Sequence, residues 1–295
     1  MSPSLRLSLS TWPQALQWPA WLLLAGISGQ LLKYLEIPAG QFLGPMLTAI
    51  LFGVCGASIR VPRLAFRLGQ GSVGMLAAHS MTLAVLTAML QSWHVMLVAT
   101  LLTVSLSALV GLVLVRFGGI AASTAAWGTA PGAASAMVSM ADEFGADSRV
   151  VATMQYVRVV CVVMVGALVS HWIGAPASGS EAHASQMALH GMSLPNVGLS
   201  IVAIVCGVLL GSRVPAGALL VPLLLGGALQ VSELLQISLP SWLLACAYGA
   251  IGGYIGLRFD RPTLSYVFGH LPAMIGGALL LIALCALSAL SLIHI

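Results

Sequence analysis

Seven residues in the middle of the chain combine types that could bind or move a charged solute. They are a Pro-Gly pair, a serine, two aspartates, and a glutamine three residues before an arginine: Pro131, Gly132, Ser135, Asp142, Asp147, Gln155 and Arg158. Proline lacks a backbone donor and glycine permits positive φ, so a helix that reaches this pair should break there. Inside a membrane, broken backbone and charge are tolerated only where they are buried in protein or line a cavity. The pattern therefore indicates a binding site for a solute or an ion.

Each group has an expected role in such a site. The ends of the broken helix should present backbone dipoles, the aspartates a cation or proton site, and Arg158 a counter-charge. Gln155 lies on the same helix face as Arg158. We expect Arg158 to pair with Asp142, Glu143 or Asp147, or with an anionic substrate. The alternative for the Pro-Gly pair is a proline-kinked helix that serves only packing. The alternatives for Arg158 are a structural ion pair and a side chain that reaches the membrane interface.

One histidine, His79, falls inside an apolar run and is a candidate proton-linked residue. The alternative is a histidine that is hydrogen-bonded within the bundle. The other histidines and the five cysteines show no metal-ligand spacing, and no nucleophile, P-loop or dinucleotide motif occurs. We therefore predict no metal, no cofactor, no catalytic residue and no enzymatic activity.

The rest of the chain is an apolar frame for these residues. Of its 295 residues, 59% are hydrophobic and only 6% are charged, whereas a soluble domain has about 25% charged residues. Long apolar runs without period-two alternation indicate membrane helices. The basic residues are scattered over short loops and form no nucleic-acid patch. The predicted partners are the lipid bilayer and a small solute or ion, with no direct nucleic-acid contact; a homo-oligomer is left open.

The chain also contains an internal duplication. Three pairs of matched motifs lie 177 or 178 residues apart: Ile37–Gly40 with Val214–Gly217, Gly71 with Gly249, and Gly74 with Gly252. The glycines should allow helices to pack closely. The predicted spans are 18–35, 40–58, 69–91, 93–116, 149–173, 196–212, 216–232, 241–257 and 271–292, with a broken segment at 119–142.

Loop charge favours one topology for these segments. If 119–142 enters and leaves on one face, every basic residue that flanks a span except Lys33 lies on the same side, as the positive-inside rule requires. Each copy then has an odd number of spans, so the copies are inverted. A second Pro-Gly break would fall beyond Ile295, so either the second copy has degenerated or the chain is truncated, and we favour truncation. The predicted parts are an N-terminal polar segment 1–17, a first transmembrane repeat 18–173, a polar loop 174–194, and a C-terminally incomplete second repeat 195–295.

The predicted fold is thus an all-α polytopic membrane protein. It has two inverted helical repeats with a Pro-Gly-broken re-entrant segment, and its second repeat is incomplete.

The motif at the break resembles the Pro-Gly-Gly signature of the AbrB-type membrane protein family, also called the AbrB duplication family. Here Ala133 replaces the second glycine. The stretch from Ile37 to Pro45 is also similar. The residues that fit the rest of the signature are Met137, Ala141, Gly145, Ala146, Asp147, Val151, Ala152, Gln155 and Arg158. The resemblance implies a bacterial inner-membrane protein from a family labelled as regulators of gene expression or ammonia monooxygenases, and related to transporters with inverted repeats and broken helices.

We therefore expect a multi-pass protein of the bacterial inner (cytoplasmic) membrane, with its N-terminus in the cytoplasm, that carries a small solute or ion. The alternative is a membrane-embedded regulator of gene expression that acts indirectly through a partner. A third, weaker hypothesis is a metal-dependent monooxygenase. That chemistry needs several histidine or carboxylate ligands, and the sequence shows no such cluster.

Overall fold

The computed structural model describes residues 12–35, 40–132, 137, 141, 144–173, 194–214 and 217–293. Within these residues every regular element is a helix, which confirms the prediction of an all-α protein. The helices are α1 (Gln14–Tyr34), α2 (Gly40–Val54), α3 (Arg63–His79), α4 (Leu83–Gln91), α5 (Trp93–Gly118), α6 (Ala122–Thr129), α7 (Ser148–Ile173), α8 (Leu194–Leu210), α9 (Gly217–Val231), α10 (Ser241–Gly256) and α11 (Arg261–Ile293).

In the part of the chain that the structure describes, three stretches of helix are long and apolar enough to cross a membrane, or four if α3 and α4 are counted as one broken span. The three are Trp93–Gly118, Pro195–Arg213 and Phe268–Ser291. Only 22% of the apolar window of Trp93–Gly118 is buried inside the protein. A helix that is apolar all round but largely unburied is suited to a lipid environment. These helices therefore support the prediction of an integral membrane protein.

Two predicted spans differ from the observed helices. The span predicted at 69–91 is divided between α3 and α4, because the chain turns at Ser80–Thr82. There the Ser80 and Met81 N–H groups donate to the carbonyls of Ala77 and Ala78 at 3.2 and 2.9 Å, which closes α3 in a tight turn. Ser and Thr compete with the helix for backbone hydrogen bonds. The span predicted at 271–292 belongs to the longer α11, which continues through Pro272.

The chain forms two compact units, and each unit takes corresponding parts of both sequence copies. The first unit consists of Met1–Thr82 and Gly174–Leu264, and so contains α1 to α3 and α8 to α10. The second consists of Leu83–Ile173 and Ser265–Ile295, and so contains α4 to α7 and most of α11. The two copies are therefore interleaved in space rather than folded one after the other.

Within the first unit, two predicted packing glycines make equivalent close contacts. A Cβ atom on Gly252 would lie 3.0 Å from the carbonyl oxygen of Phe42 in α2, and a Cβ on Gly74 would clash with the carbonyl of Leu219 in α9. The two contacts are related by the same offset as the sequence copies. Each copy's third helix thus packs on the second helix of the other copy. At Gly249, in contrast, an added Cβ would meet nothing within 4 Å, so the packing prediction is wrong for that residue.

The helices α3 and α10, which are equivalent in the two copies, run in opposite directions. The rings of Phe66 and Tyr254 stack with centroids 4.2 Å apart. Further along α3, a Cβ on Gly69 would lie 2.8 Å from the carbonyl oxygen of Ala247. As the residue numbers rise in α3, those of the contacts in α10 fall, so the two helices are antiparallel.

The helices α2 and α10 run in the same direction. A Cβ on Gly252 would approach Phe42, whereas a Cβ on Gly256, one turn later, would lie 2.8 Å from the backbone nitrogen of Ile50. The numbers rise together, so α2 is parallel to α10 and opposite to α3.

The C-terminal turns of α2 and α9 also match. Gly56 and Glu233, which lie 177 positions apart, both have positive φ, at 84° and 58°. After Gly56, the Ala57 N–H donates to the Phe52 carbonyl at 2.9 Å, as in a Schellman cap, and the second copy repeats the bond. Glycine adopts this conformation freely, whereas a residue with a Cβ is strained by about 1 to 2 kcal/mol.

Replacing Glu233 by glycine should therefore raise the free energy of unfolding by about 1 kcal/mol. Unfolding in mixed detergent micelles would measure this change in the free energy of unfolding. Ser232→Gly is the control: it lies one position earlier, so it should leave stability unchanged or reduce it. Equal effects of the two substitutions would contradict strain at Glu233.

Candidate functional site at the broken helix

The helix α6 ends at Thr129, two residues before Pro131, so it ends close to the Pro-Gly pair as predicted from the sequence. Ala130 has φ −53° and ψ 130°, which is the extended conformation that a following proline favours. The last bond of the helix runs from the Ala130 N–H to the Ala126 carbonyl at 3.1 Å. The carbonyls at the end of α6 therefore have no partner further along the same helix.

Two side chains of α7 bind these carbonyls. The Nη1 atom of Arg158 donates to the carbonyls of Thr129 and Ala130 at 3.1 and 3.2 Å. The Nε2 atom of Gln155 donates to the carbonyls of Trp127 and Ala130 at 3.0 and 3.1 Å. We refer to the carbonyls of Trp127, Thr129 and Ala130 as the carbonyl cluster. The structure thus brings the Pro-Gly break, Gln155 and Arg158 together.

The two side chains also bind each other. The Nη2 atom of Arg158 donates to Oε1 of Gln155 at 2.6 Å, so the glutamine is oriented with its NH₂ group toward the carbonyl cluster. Gln155 is fully buried, and Arg158 is half-buried. The C-terminal end of a helix carries partial negative charge, so the guanidinium stabilises the end of α6 electrostatically as well as by hydrogen bonds.

A serine that sequence analysis did not select supports the same carbonyl cluster from α5. The Ser107 hydroxyl donates to the Thr129 carbonyl, and the Thr129 hydroxyl donates to the Ala125 carbonyl at 2.9 Å. Ser107 is 1% exposed. The only sign of this role in the sequence is a serine inside an apolar helix. That sign does not single out Ser107, because α5 also carries Ser105, whose hydroxyl donates only to the Leu101 carbonyl of the same helix.

These two serines give a matched test. Ser107→Ala should lower the free energy of unfolding by about 1 kcal/mol, because it removes one bond to a carbonyl that Arg158 still binds. Ser105→Ala should change it little, since the Ser105 side chain is exposed and bonds only locally. Thermal unfolding in detergent would compare them. A larger loss for Ser105→Ala would contradict the support that we assign to Ser107.

Asp147 lies at the start of α7 and not beside the arginine. Its Oδ1 atom accepts from the Val150 N–H at 3.4 Å, and its own N–H donates to the Thr124 hydroxyl at 3.2 Å. Eleven residues separate Asp147 from Arg158, which is about 16 Å along a helix. The aspartate therefore caps α7 and ties it to α6, while the arginine acts three turns later.

The remaining predicted residues fall in different places. Pro131 and Gly132 are exposed, and a Cβ on Gly132 would lie 2.8 Å from the Met137 Cε atom. Ser135 and Asp142, with Glu143, lie outside the described residues. His79 is the last residue of α3 in the first unit and is partly buried.

Aromatic and small side chains hold the chain on either side of the break. The rings of Trp127 and Phe144 stack with centroids 5.6 Å apart. Ala146 and Val151 are buried in the same small cluster, and the Ala146 N–H donates to the Ala141 carbonyl at 2.8 Å. Within the described parts of the chain, no three His, Cys, Asp or Glu side chains are grouped as metal ligands.

The long apolar helices, together with a charged and hydrogen-bonded site at a helix break, define a multi-pass integral membrane protein. Comparison with known proteins places it more closely. The chain belongs to the AbrB family, because the family model described as "Transition state regulatory protein AbrB" matches residues 41–295. This confirms the resemblance found in the signature around the break.

Two relatives show the extent of the similarity. The chain is 40% identical over 253 residues to "Putative regulator AbrB" of Escherichia coli (strain K12), a match that covers 85% of this chain and 72% of the relative. It is 33% identical over 137 residues to "Uncharacterized protein YhjN" of Bacillus subtilis (strain 168), which covers 42% of this chain and 36% of that protein. No solved structure matches the chain.

Proposed function

We propose that the protein is a carrier of a small solute or ion in the bacterial inner membrane, with its N-terminus in the cytoplasm. The observation that carries this proposal is the binding of Arg158 to the end of a broken helix inside an apolar segment. A fixed charge at such a position is costly. Transport of a charged solute gives a functional reason to keep it there, whereas packing alone would be served by an apolar residue.

The geometry favours an anionic solute. The guanidinium already occupies the carbonyl cluster, where a cation would otherwise bind. Three of its five N–H groups are used for the carbonyls and for Gln155. Among the described residues, the remaining two have no recorded acceptor. A small carboxylate or inorganic anion could accept from them in the bidentate manner that guanidinium groups favour. The aspartates Asp142 and Asp147 would then supply the coupling site for a proton or cation, with Ser135 near the break.

Two features support the inverted-repeat architecture that we propose for the carrier. The equivalent helices α3 and α10 are antiparallel, as the contact between Phe66 and Tyr254 and that of Gly69 indicate. In addition, α6 has eight residues and is therefore about 12 Å long. That is too short for a hydrocarbon core of about 30 Å. A segment that enters and leaves on one face accounts for both the short helix and the bias in loop charge.

The test is uptake by proteoliposomes of a panel of labelled small anions, each with and without a pH gradient. We expect saturable uptake of at least one anion, with none in protein-free liposomes. Cations and neutral solutes serve as the matched controls. Saturable uptake of cations alone would contradict an anion carrier, and no saturable uptake of any solute by correctly folded protein would contradict transport.

A second candidate function is favoured by the description of the family and by the name of the Escherichia coli relative, both of which refer to regulation. In this alternative the protein would be a membrane-embedded regulator that acts through a partner, without direct nucleic-acid contact. Cross-linking in intact cells that captures one stoichiometric partner, together with absent flux, would favour it. In both alternatives we propose a non-enzymatic role.

A further inference from the structure

Within the second unit, α5 packs antiparallel to α11. A Cβ atom on Gly118 would lie 3.3 Å from the Cβ atom of Ala273, and a Cβ on Gly277 would lie 3.0 Å from the methyl groups of Leu114. A step of four residues back along α5 is thus a step of four residues forward along α11. These contacts fix the register of the two helices.

The same register brings Ser107 and Cys285 to one level. About two turns further along both helices, it places Leu106 opposite Cys285 and Ser107 opposite Leu284. Leu106, Leu284 and Cys285 all pack against one hydrophobic cluster. Ser107 and Cys285 are 178 positions apart, the offset that relates the matched glycines of the two sequence copies. Equivalent positions of two antiparallel helices meet at one level only, and here that level is at Ser107 and Cys285.

The helix α7 brings Arg158 to the same level. The Ser107 hydroxyl and the Nη1 atom of Arg158 both donate to the Thr129 carbonyl. Two donors that share one oxygen lie within about 6 Å of each other, which is twice a hydrogen-bond length. Val157, which precedes Arg158, packs against the same hydrophobic cluster as Cys285. The guanidinium also has an electrostatic interaction with Cys285, so the arginine lies beside the place where α5 and α11 meet.

This level is deep in the membrane. Ser107 lies close to the middle of the span Trp93–Gly118. In carriers that are built from internal repeats, solutes bind near the bilayer midplane, where the repeats meet. The carbonyl cluster is held there by α5, α6 and α7. From α11, Cys285 adds a half-buried side chain that is small and polarisable.

We propose that α11 forms the second wall of the anion site, and that Cys285 is the side chain of this wall that a bound anion contacts beside Arg158. The anion then lies between α7 and α11, with its charge on the guanidinium and its other side against the thiol. One wall comes from each sequence copy. This inference rests on the proposed anion carrier and deepens it, because it names the helix that completes the site.

The test compares the reactivity of two cysteines. Two variants of the full chain each keep one cysteine, Cys285 or Cys206, and have alanine at the other four cysteine positions. In proteoliposomes each variant reacts with anionic sulfonatoethyl methanethiosulfonate or with the cationic trimethylammonium reagent, and mass spectrometry of the intact protein gives the rates. Cys206 is exposed on the apolar helix α8. We expect the less exposed Cys285 to react faster with the anionic reagent, because a thiolate is disfavoured in apolar surroundings.

The ratio of the two rates tests the role of the arginine. Both reagents react with the same thiolate, so the ratio, divided by that of 2-mercaptoethanol, reports the local charge. At Cys285 it should favour the anionic reagent about fivefold. Arg158→Gln should abolish this preference, whereas Arg158→Lys should retain it. Arg116→Gln is the control, since Arg116 is exposed at the end of α5. The ratio in protein with Arg158 intact tests the proposal even if Arg158→Gln fails to fold.

The proposal would be overturned if Cys285 reacted no faster than Cys206 with the anionic reagent, or if it showed no preference for that reagent while Arg158 was intact. A preference that persisted in folded Arg158→Gln would also overturn it. These outcomes are separate from those of the uptake test. Anion uptake without the preference at Cys285 would leave the carrier and remove this wall, whereas the preference without uptake would leave the anion site and contradict transport.

Discussion

Replacing Arg158 by methionine is expected to abolish solute flux and to lower the free energy of unfolding by about 3 kcal/mol. Methionine has no donor, so the Thr129 and Ala130 carbonyls lose their bonds to Nη1, and Oε1 of Gln155 loses its bond to Nη2. The two carbonyls keep their bonds from Ser107 and Gln155. The three lost hydrogen bonds contribute about 1 kcal/mol each. Flux in proteoliposomes and unfolding in mixed micelles would measure the two effects separately.

The lysine variant separates the roles of Arg158. Arg158→Lys keeps the positive charge but cannot present the planar fork that binds the carbonyls and Gln155 together. We expect a folded protein with weak residual flux and a raised KM. Arg116→Gln should leave both flux and stability unchanged, because that arginine is exposed at the end of α5. Full flux in Arg158→Met would contradict the proposed counter-charge, even if that variant were less stable.

Replacing Gln155 by leucine is expected to destabilise the protein by about 2 to 4 kcal/mol. Leucine leaves the Trp127 carbonyl without the bond that Nε2 provides, and removes the oxygen that orients Arg158. The Ala130 carbonyl retains its bond to Arg158. The side chain is fully buried, so water cannot replace the lost bonds. Unfolding in mixed micelles would measure the loss.

A glutamate at the same position gives a sharper comparison. Gln155→Glu keeps an acceptor for Arg158 but converts a donor into a carboxylate oxygen that faces carbonyl oxygens. We expect it to be destabilising as well, and to reduce flux by neutralising the guanidinium that the anion requires. Gln91→Leu is the control, since Gln91 is exposed at the end of α4. Wild-type stability in both Gln155 variants would contradict the role assigned to the carbonyl cluster.

Sequence reasoning found the parts of this site that depend on residue type. Proline and glycine predict a break because of their own backbone chemistry, and α6 ends two residues before Pro131. The spacing of Gln155 and Arg158 predicts a shared helix face, and both side chains bind the same carbonyl cluster. Composition predicts membrane helices because the hydrocarbon core of a bilayer favours apolar side chains along a whole span and requires every backbone hydrogen bond to be made within the protein.

What sequence reasoning missed depends on the backbone and on contacts distant in the chain. The recorded partners of Arg158 include main-chain carbonyls, and any residue type supplies a carbonyl, so no pattern of side chains marks them. Ser107 was not distinguished from Ser105, since only packing against Thr129 separates a supporting serine from a local one. The positive φ of Glu233 was also not predicted, because glutamate rarely adopts this conformation, whereas a glycine such as Gly56 often does.

The interleaving of the two copies sets an order of events during synthesis. The faces of α2 and α3 around Phe42 and Gly74 pack against helices that follow much later in the chain. Roughly 140 residues lie between α3 and α9, so at 5 to 20 residues per second a ribosome needs about 7 to 28 s to make them. During that interval the early helices are inserted without their final neighbours. Until then their close-packing glycine surfaces lack the helices that finally cover them, so nascent chains halted before α9 should be more sensitive to membrane proteases than completed chains.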